Sequence, residues 1–330
     1  MEEKIMETAV KPRICVIGAG AIGGLFGARL AHGGQAEVSV VARGRTLDAL
    51  RASGWVLEMA GERIAPAVQA VSPAEAASLG PQDIVILAVK AYALEQVVAL
   101  VAPLLGPDTL VVPAVNGVPW WFTGRLDCLD PHGVIAGAIA IGRVVGAVVY
   151  PSCSSPAPGV SRHGSGSRLV FGEIAGGAPT PRIEALVRCL RAAGLDAEAT
   201  TDIRTEVWKK LLGNACFNPV SMLTGSATDR LIDDAGIHRL FVSMMQETIA
   251  VGRALGIDPG IEPAARIAIT RKLGHVKTSM LQDAEAGRPV EVEAILGAVI
   301  ELARRHGVDT PHNQTVLALA RMRAATAALA

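Results

Sequence analysis

Residues 13–43, RICVIGAGAIGGLFGARLAHGGQAEVSVVAR, decide the fold class of this chain. The apolar run 14–17 is too short for a helix and rich in β-branched residues, so it predicts a buried parallel strand. In the pattern G-x-G-x-x-G, the glycines permit a tight turn, close approach of a pyrophosphate, and close packing of helix on strand. A helix over 21–32 and a second strand over 37–42 complete a dinucleotide-binding unit. Six residues match the glycine pattern: Gly18, Ala19, Gly20, Ala21, Ile22 and Gly23.

The residue after the second strand indicates which dinucleotide binds. An NAD enzyme usually has Asp or Glu there, which binds the ribose 2′-hydroxyl. This chain has Arg43, followed by Gly44 and Arg45. A guanidinium suits a 2′-phosphate, so the sequence predicts NADPH as the cofactor and Arg43 as one of its ligands. The alternative is that Arg43 is a solvated surface charge.

Length and composition bound the class of protein. The chain has 330 residues, half of them apolar, with 31 basic and 31 acidic side chains. The length favours two domains, and the balanced charge gives no general attraction to nucleic acid or to a membrane. Residues 1–11 contain no signal-peptide core and are predicted to be a loose tail. Five scattered cysteines indicate reduced thiols, so we expect a cytoplasmic protein with no membrane span.

Two further strands end in polar residues. Residues 83–89 and 109–115 predict buried strands, which are followed by Lys90 and by Asn116-Gly117. Ligands of an open parallel sheet bind beyond the carboxyl ends of the strands, so these residues predict a site. Taken alone, Asn-Gly is more often a plain turn; its coincidence with Lys90 favours a site.

The sequence changes character after residue 201. No strand-like run follows, and helical periodicity continues to the C-terminus, so we predict an α/β domain over residues 1–201 and a helical domain over 202–330. In the first helix, predicted over 202–223, three polar residues repeat every four positions on an otherwise apolar surface and so share one face. Such a stripe needs a polar partner. These residues are Lys210, Asn214 and Asn218.

Together these residues resemble the ketopantoate reductase family, the NADPH-dependent 2-dehydropantoate 2-reductases. The resemblance spans nearly the whole chain and implies an N-terminal Rossmann-type domain, an all-helical C-terminal domain, and an active site in the cleft between them. The two longest matching segments are also the most specific. The matching segments are GAGAIG (18–23), ARG (42–44), VKAY (89–92), VNGV (115–118), APGVSRHG (157–164), IRTEVWKKLLGNACFNP (203–219) and KTSMLQDAEAGRPVEVEAILG (277–297).

The resemblance implies a role for each candidate side chain. Lys210 matches the family's catalytic lysine, which protonates the carbonyl oxygen as hydride arrives. Glu291, the second predicted catalytic residue, matches the acidic residue that bonds the substrate or cofactor; the alternative is a carboxylate favoured by the dipole at a helix N-terminus. Lys90 and Asn116 match residues that contact cofactor and substrate. The other substrate-binding matches are Asn214, Asn218 and Ser279.

The resemblance leaves the substrate open. Val115 stands where many members have Gln, and the apolar segment 118–142 contains Trp120-Trp121, which we expect to influence the substrate pocket. The main alternative is an NADPH-dependent reductase of another branched or aromatic 2-oxo acid. Others are a non-catalytic NADPH-binding sensor and a 3-hydroxyacyl or 6-phosphogluconate-type dehydrogenase, whose histidine-based site is not visible. The apolar C-terminal helices, including 314–329, permit a homodimer without requiring one.

Overall fold

The computed structural model describes residues 11–327. The predicted loose tail therefore lies, except for Lys11, outside the described residues. Twelve strands precede residue 200: β1 (Arg13–Ile17), β2 (Glu37–Val41), β3 (Val56–Met59), β4 (Glu62–Ile64), β5 (Gln69–Val71), β6 (Gln82–Leu87), β7 (Leu105–Pro113), β8 (Val145–Val149), β9 (Ser152–Ala157), β10 (Val160–Ser165), β11 (Leu169–Glu173) and β12 (Ala197–Ala199).

Helices occur in both halves of the chain and make up the whole regular structure after residue 200 in the described part. Short 3₁₀ turns connect several of the early elements, and a π-helical turn occupies Glu293–Gly297. The α-helices are α1 (Ala21–Gly33), α2 (Gly44–Ser53), α3 (Leu94–Val97), α4 (Val134–Ala138), α5 (Pro181–Ala192), α6 (Ile203–Thr224), α7 (Thr228–Asp233), α8 (Ala235–Ala254), α9 (Pro263–Arg271), α10 (Ser279–Glu285), α11 (Ala298–Arg305) and α12 (Pro311–Thr326).

A parallel sheet positions the N-terminal part of the site. Its strand order is β5-β2-β1-β6-β7, and all four pairings are parallel. Side chains of β1 alternate between two apolar cores: Ile14 and Val16 pack into one, and Cys15 and Ile17 into the other. Because both faces of the sheet are covered, β1 has the continuous apolar sequence that predicted a buried parallel strand. The predicted α/β class is confirmed.

Two smaller sheets extend this half of the molecule. One has the order β4-β3-β10-β9 and the other β12-β11-β8. The strand β8 pairs antiparallel with β11, and β9 pairs antiparallel with β10, whereas β10 runs parallel to β3 and β11 parallel to β12. A single backbone bridge between Val111 and Val144 links the main sheet to the start of β8. The sheet that contains β8 therefore lies beside the β7 edge of the main sheet.

Helix α6 is the centre of the helical half. Asp202 caps it, because its carboxylate accepts a hydrogen bond of 3.0 Å from the Thr205 backbone N–H. The helix packs against α8, α10 and α12 on one side and against β8 and β11 on the other. It thus lies between the sheets and the C-terminal helices, and its side chains reach both.

Two later helices begin in distinctive ways. Helix α8 begins after Asp234, whose carboxylate caps it by accepting a 2.8 Å bond from the Ile237 N–H. The π-helical turn at Glu293–Gly297 continues directly as α11. None of the helices within residues 11–327 is long and apolar enough to cross a membrane. The proposed domain boundary after residue 201 falls between β12 and α6 and stays a prediction.

Candidate active site

The glycine loop between β1 and α1 has three glycines with three different surroundings. Gly18 has a φ of +107°, and a Cβ there would lie 2.7 Å from the Ala88 carbonyl oxygen. A Cβ on Gly23 would lie 2.0 Å from the Gly18 carbonyl oxygen, so this glycine allows α1 to pack on the loop. A Cβ on Gly20 would meet no atom within 4 Å. The backbone is therefore open at Gly20, at the N-terminus of α1, where a pyrophosphate can approach.

A cavity of about 700 Å³ extends from this loop along the carboxyl ends of the strands. Four of the six predicted glycine-loop residues line it: Gly18, Ala19, Gly20 and Ala21. Ile22 lines an adjoining cavity, and Gly23 is buried behind the loop. Arg43 lies at the rim, exposed, at the N-cap of α2, and no carboxylate within residues 11–327 pairs with it. An open helix N-terminus beside an unpaired guanidinium fits a dinucleotide that has a 2′-phosphate.

Lys210 reaches from α6 to the strand ends of the parallel sheet. Its Nζ donates to Asn116 Oδ1 at 2.8 Å and to the Val149 carbonyl oxygen at 2.5 Å. An ammonium has three N–H groups, so one is left for another acceptor. Burial lowers the pKa of Lys210 to about 8, with Glu291 opposing the shift and the charge of Lys90 adding to it. A lysine with that pKa is still mostly protonated at neutral pH and releases its proton readily.

Asn116 is fixed by the turn that follows β7. Gly117 has a φ of +82°, and a Cβ there would lie 2.1 Å from the Ala294 carbonyl oxygen. The next backbone N–H, that of Val118, donates to the same carbonyl at 2.8 Å. The turn is therefore pressed against the π-helical turn of the helical half, and no other residue fits at position 117 without movement. Because Lys210 can only donate, the Asn116 atom facing it is the carbonyl oxygen, and its NH₂ faces away.

Lys90 connects the N-terminal half of the chain to the helical half through ion pairs. Its Nζ contacts Asp283 Oδ2 at 2.6 Å and Glu291 Oε2 at 3.1 Å, and both carboxylates are buried. Glu291 also accepts a 3.0 Å bond from the Ala91 N–H, and Asp283 accepts one of 3.0 Å from Arg288 Nε. Burial alone would lower the pKa of Lys90, but Glu291 and Asp283 outweigh it and the pKa is raised. The network holds a permanent positive charge on Lys90 beside the cavity.

The remaining predicted residues surround a second cavity of about 540 Å³, which adjoins the first. Asn214 and Asn218 lie one and two turns beyond Lys210 on α6, as their spacing predicted, and both line the cavity. Ser279 lines both cavities from the first turn of α10, which Thr278 caps. The structure thus brings Lys90, Asn116, Lys210 and Glu291 to the same cavity as the asparagines and the serine.

Sequence analysis missed several side chains of this cavity. Tyr150 follows β8, and Arg266 lies on α9, a helix whose sequence contains no recognised motif. Thr228 and Thr270, from α7 and α9, also line the wall. The polar stripe on α6 indicated that a polar partner exists, but only the packing of α9 against α6 identifies it.

The tryptophan pair does not contribute to either cavity wall described above. Trp120 and Trp121 are buried, and Trp121 lies 5.9 Å from the Phe122 ring centroid. Phe122 in turn stacks on Trp208 of α6 with centroids 5.7 Å apart. The expected influence of Trp120-Trp121 on the substrate pocket is therefore indirect, through the aromatic packing that supports α6.

The described part of the chain offers no obvious alternative chemistry. No group of three or more His, Cys, Asp or Glu within residues 11–327 has metal-binding geometry. The five cysteines, all of them described, are unpaired, and burial raises the pKa of Cys15 to about 11. A thiol with such a pKa is a poor nucleophile. The polar groups in the cleft are thus the candidates for catalysis.

Comparison with known proteins agrees with this geometry. The family model described as "Ketopantoate reductase PanE/ApbA" matches residues 14–176, and the model of the C-terminal part of the same family matches residues 202–324. The chain belongs to the ketopantoate reductase family. The predicted family is therefore confirmed.

Relatives of this ketopantoate reductase family match along nearly the full chain. A 2-dehydropantoate 2-reductase of Mesorhizobium japonicum is 44% identical over 94% of this chain and 97% of its own. A Ralstonia solanacearum MolK2 protein, provisionally assigned as a ketopantoate reductase, is 45% identical, with a TM-score of 0.92 and coverage of 97% and 100%. The 2-dehydropantoate 2-reductase of Methylococcus capsulatus is 32% identical, with a TM-score of 0.82 and coverage of 96% and 97%.

Proposed function

We propose that this chain catalyses the NADPH-dependent reduction of 2-dehydropantoate to pantoate. The observation that carries the proposal is the pairing of Lys210 with Asn116 at 2.8 Å, in a cavity that adjoins the glycine loop. This pairing supports the role of Lys210 as a proton donor, because its ammonium lies beside the carboxyl ends of the parallel strands, where a nicotinamide ring is expected. The substrate follows from the names of the relatives rather than from the cavity.

The proposed chemistry needs a positive donor near one oxygen. When bound, NADPH supplies a hydride to the carbon of the substrate ketone. Negative charge then builds on the carbonyl oxygen, and the Lys210 ammonium stabilises it before donating a proton to it. The pKa of Lys210, lowered to about 8 mainly by burial, suits a donor at neutral pH. Lys210 regains its proton from solvent, and the net reaction consumes one ketone, one NADPH and one proton.

The other candidate residues have positioning roles in this proposal. The NH₂ of Asn116 faces away from Lys210 and is available to the nicotinamide ribose or the substrate. Asn214, Asn218 and Ser279 supply uncharged hydrogen-bonding groups for the substrate hydroxyl. Glu291, although predicted to be catalytic, accepts bonds from Lys90 and the Ala91 N–H. We therefore propose that it acts by holding Lys90 at the cofactor.

The proposal places the enzyme in the cytoplasm, the compartment in which its five thiols stay reduced. The small molecules involved are NADPH and a 2-oxo acid. A homodimer stays a prediction, which sedimentation velocity at assay concentration tests.

A substrate screen tests the proposed function. Purified enzyme is assayed for NADPH oxidation with 2-dehydropantoate, 2-oxoisovalerate and phenylglyoxylate, and initial rates give kcat/KM for each. We expect 2-dehydropantoate to give the highest value, because only it offers a hydroxyl to the polar groups beyond Lys210. A higher value for either of the other acids would favour the alternative reductase, and no turnover of any 2-oxo acid would favour the sensor hypothesis.

A further inference from the structure

The second cavity contains a cation that the proposed function does not use. Arg266 projects from α9 towards α6, and its side chain lines the same wall as Asn214 and Asn218. The residue is half-buried. Its Nη1 donates to Thr270 Oγ1 at 2.7 Å, one turn further along the same helix. The guanidinium is thereby held in a defined orientation at the cavity.

Helix α6 makes room for this guanidinium. A Cβ added to Gly213 would lie 1.9 Å from Arg266 Nη2 and 2.5 Å from its Cζ. Gly213 follows Lys210 by three positions and precedes Asn214, so the guanidinium lies against the same face of α6 as the polar stripe. A glycine in the middle of a helix costs about 1 kcal/mol relative to alanine. The close approach of Arg266 accounts for a glycine at this position.

Arg266 has no counter-charge in the described part of the chain. No carboxylate within residues 11–327 lies within 4 Å of its nitrogens, and Thr270 is its one hydrogen-bond acceptor there. Burial lowers the pKa of Arg266, and Cys216 and Tyr150 only partly oppose the shift. A charge that is partly withdrawn from water and unpaired is costly, so a site that keeps one is suited to a ligand that brings the opposite charge.

The other cations around the cavity are paired with carboxylates, lie at its far end, or have another proposed role. Lys90 contacts two carboxylates, and Lys277 contacts Glu285 at 2.7 Å. Arg43 lies at the far end, beside the glycine loop, and Lys210 is assigned to the ketone oxygen. Among the described residues around this cavity, only Arg266 is left to balance the one charge that a 2-oxo acid carries.

We propose that Arg266 binds the carboxylate of the 2-oxo acid and makes the enzyme selective for acids over neutral ketones. The inference rests on the proposed function and adds to it the residue that recognises the charged end of the substrate. The guanidinium lies against Gly213, three positions beyond Lys210 on α6, so the two cations are placed to meet the carboxylate and the adjacent ketone oxygen of one 2-oxo acid. Asn214 and Asn218 line the same cavity and are placed to bind the substrate's uncharged groups.

Two substrates that differ in charge test this assignment. The kcat/KM values for 2-dehydropantoate and for its neutral lactone are measured with wild type, Arg266→Met and a matched control, Arg271→Met. Arg271 lies on the same helix but is exposed and paired with Asp233 at 2.7 Å. We expect Arg266→Met to lower kcat/KM for the acid about 100-fold, chiefly through KM, while changing the lactone value less than about threefold. Arg271→Met should change neither.

A structural role for Arg266 predicts a different result. Equal losses for the acid and the lactone in Arg266→Met, or no loss for either, would overturn the proposal. If Arg266→Met does not fold, Gly213→Ala and Arg266→Lys replace it. The added methyl displaces the guanidinium, and lysine keeps a point charge without the planar fork. Both should reduce acid preference by about tenfold, and unchanged preference in both would overturn the proposal.

Failure of the proposed function gives a separate outcome. In that case wild-type enzyme would reduce neither compound, and calorimetric titration of 2-dehydropantoate into the NADPH complex decides about Arg266. Binding by wild type that is lost in Arg266→Met would support the carboxylate site. Equal binding by both, or no binding by wild type, would overturn it.

Discussion

The two walls of the cleft are built in different ways. The wall that faces the nucleotide consists mainly of backbone: a turn with a φ of +107° at Gly18, an open Gly20, and the N-terminus of α1. The wall proposed to face the substrate consists mainly of side chains, many of them from four helices, α6, α7, α9 and α10. A backbone site binds a group that all its ligands share, such as a pyrophosphate, whereas a side-chain site can change its preference with single substitutions.

The largest expected effect is on the substrate wall. Replacing Lys210 by Met removes the proposed proton donor, and we expect kcat to fall about 10²–10⁴-fold, the usual contribution of a general acid. The dissociation constant of NADPH should change less than about twofold, because the lysine contacts Asn116 and Val149 rather than the glycine loop. Stopped-flow kinetics and fluorescence titration measure the two quantities.

The neighbouring lysine provides the control for that experiment. Lys209 is paired with Glu206 at 2.9 Å and does not line the cavity. Lys209→Met should leave kcat within about a factor of two. Equal losses in the two variants, or none in Lys210→Met, would mean that the ammonium of Lys210 is not the donor.

Alanine substitution at two glycines of the same motif should affect different properties, stability at Gly23 and cofactor binding at Gly20. Gly23→Ala places a methyl 2.0 Å from a backbone oxygen, and we expect the free energy of unfolding to fall by about 3 kcal/mol. Gly20→Ala places its methyl in open space, so stability should fall by about 1 kcal/mol or less, while NADPH binds roughly tenfold more weakly. Urea unfolding without cofactor and fluorescence titration separate the two effects. The reverse pattern would contradict the roles given to these glycines.

A smaller effect is expected at the rim of the nucleotide wall. Arg43→Gln should weaken NADPH binding about 10–100-fold, the value of one charge-assisted contact to phosphate, and NADH binding less than about threefold. The control is Arg51→Gln, at the other end of α2, where Arg51 pairs with Glu75 at 2.7 Å. Titration with both cofactors gives the comparison. If Arg43→Gln weakens the binding of NADPH and of NADH by the same factor, Arg43 does not contact the 2′-phosphate.

The smallest effect comes from pH. The pKa of Lys210 is lowered from 10.5 to about 8, mainly by burial, so the active, protonated form is lost as pH rises through about 8. Above that value we expect kcat/KM to fall about tenfold per pH unit. For stability the sign is opposite, because between about 8 and 10.5 the unfolded state holds the proton more tightly and stability rises with pH.

The pH prediction is checked on wild type and on Lys210→Met across the alkaline range. The falling limb of kcat/KM should be absent from the residual activity of the variant, and so should the part of the stability increase that belongs to this lysine. A limb that persists unchanged in Lys210→Met would assign the ionisation to another group.

Much of the cleft could be predicted because its elements are local in sequence. The strand-loop-helix around Gly18 has a fixed spacing, and the i, i+4, i+8 repeat of Lys210, Asn214 and Asn218 fixes a helix face without any knowledge of the fold. By contrast, the short helix α7 was not predicted, because its six residues are too few to show a helical period. Arg266 was missed because a charged residue on an amphipathic helix usually faces solvent.

The sequence by itself determined the α/β class, the glycine loop and the polar stripe of α6, since each depends on contacts between residues close together in the chain. Only the tertiary structure decided that Lys90 is held by Asp283 and Glu291, about two hundred residues away, and that Lys210 meets Asn116. It also decided that Arg266 lies against Gly213. The physical reason is that charge pairing and close packing depend on distance in space, which folding fixes by burying the apolar faces of elements that are distant in sequence.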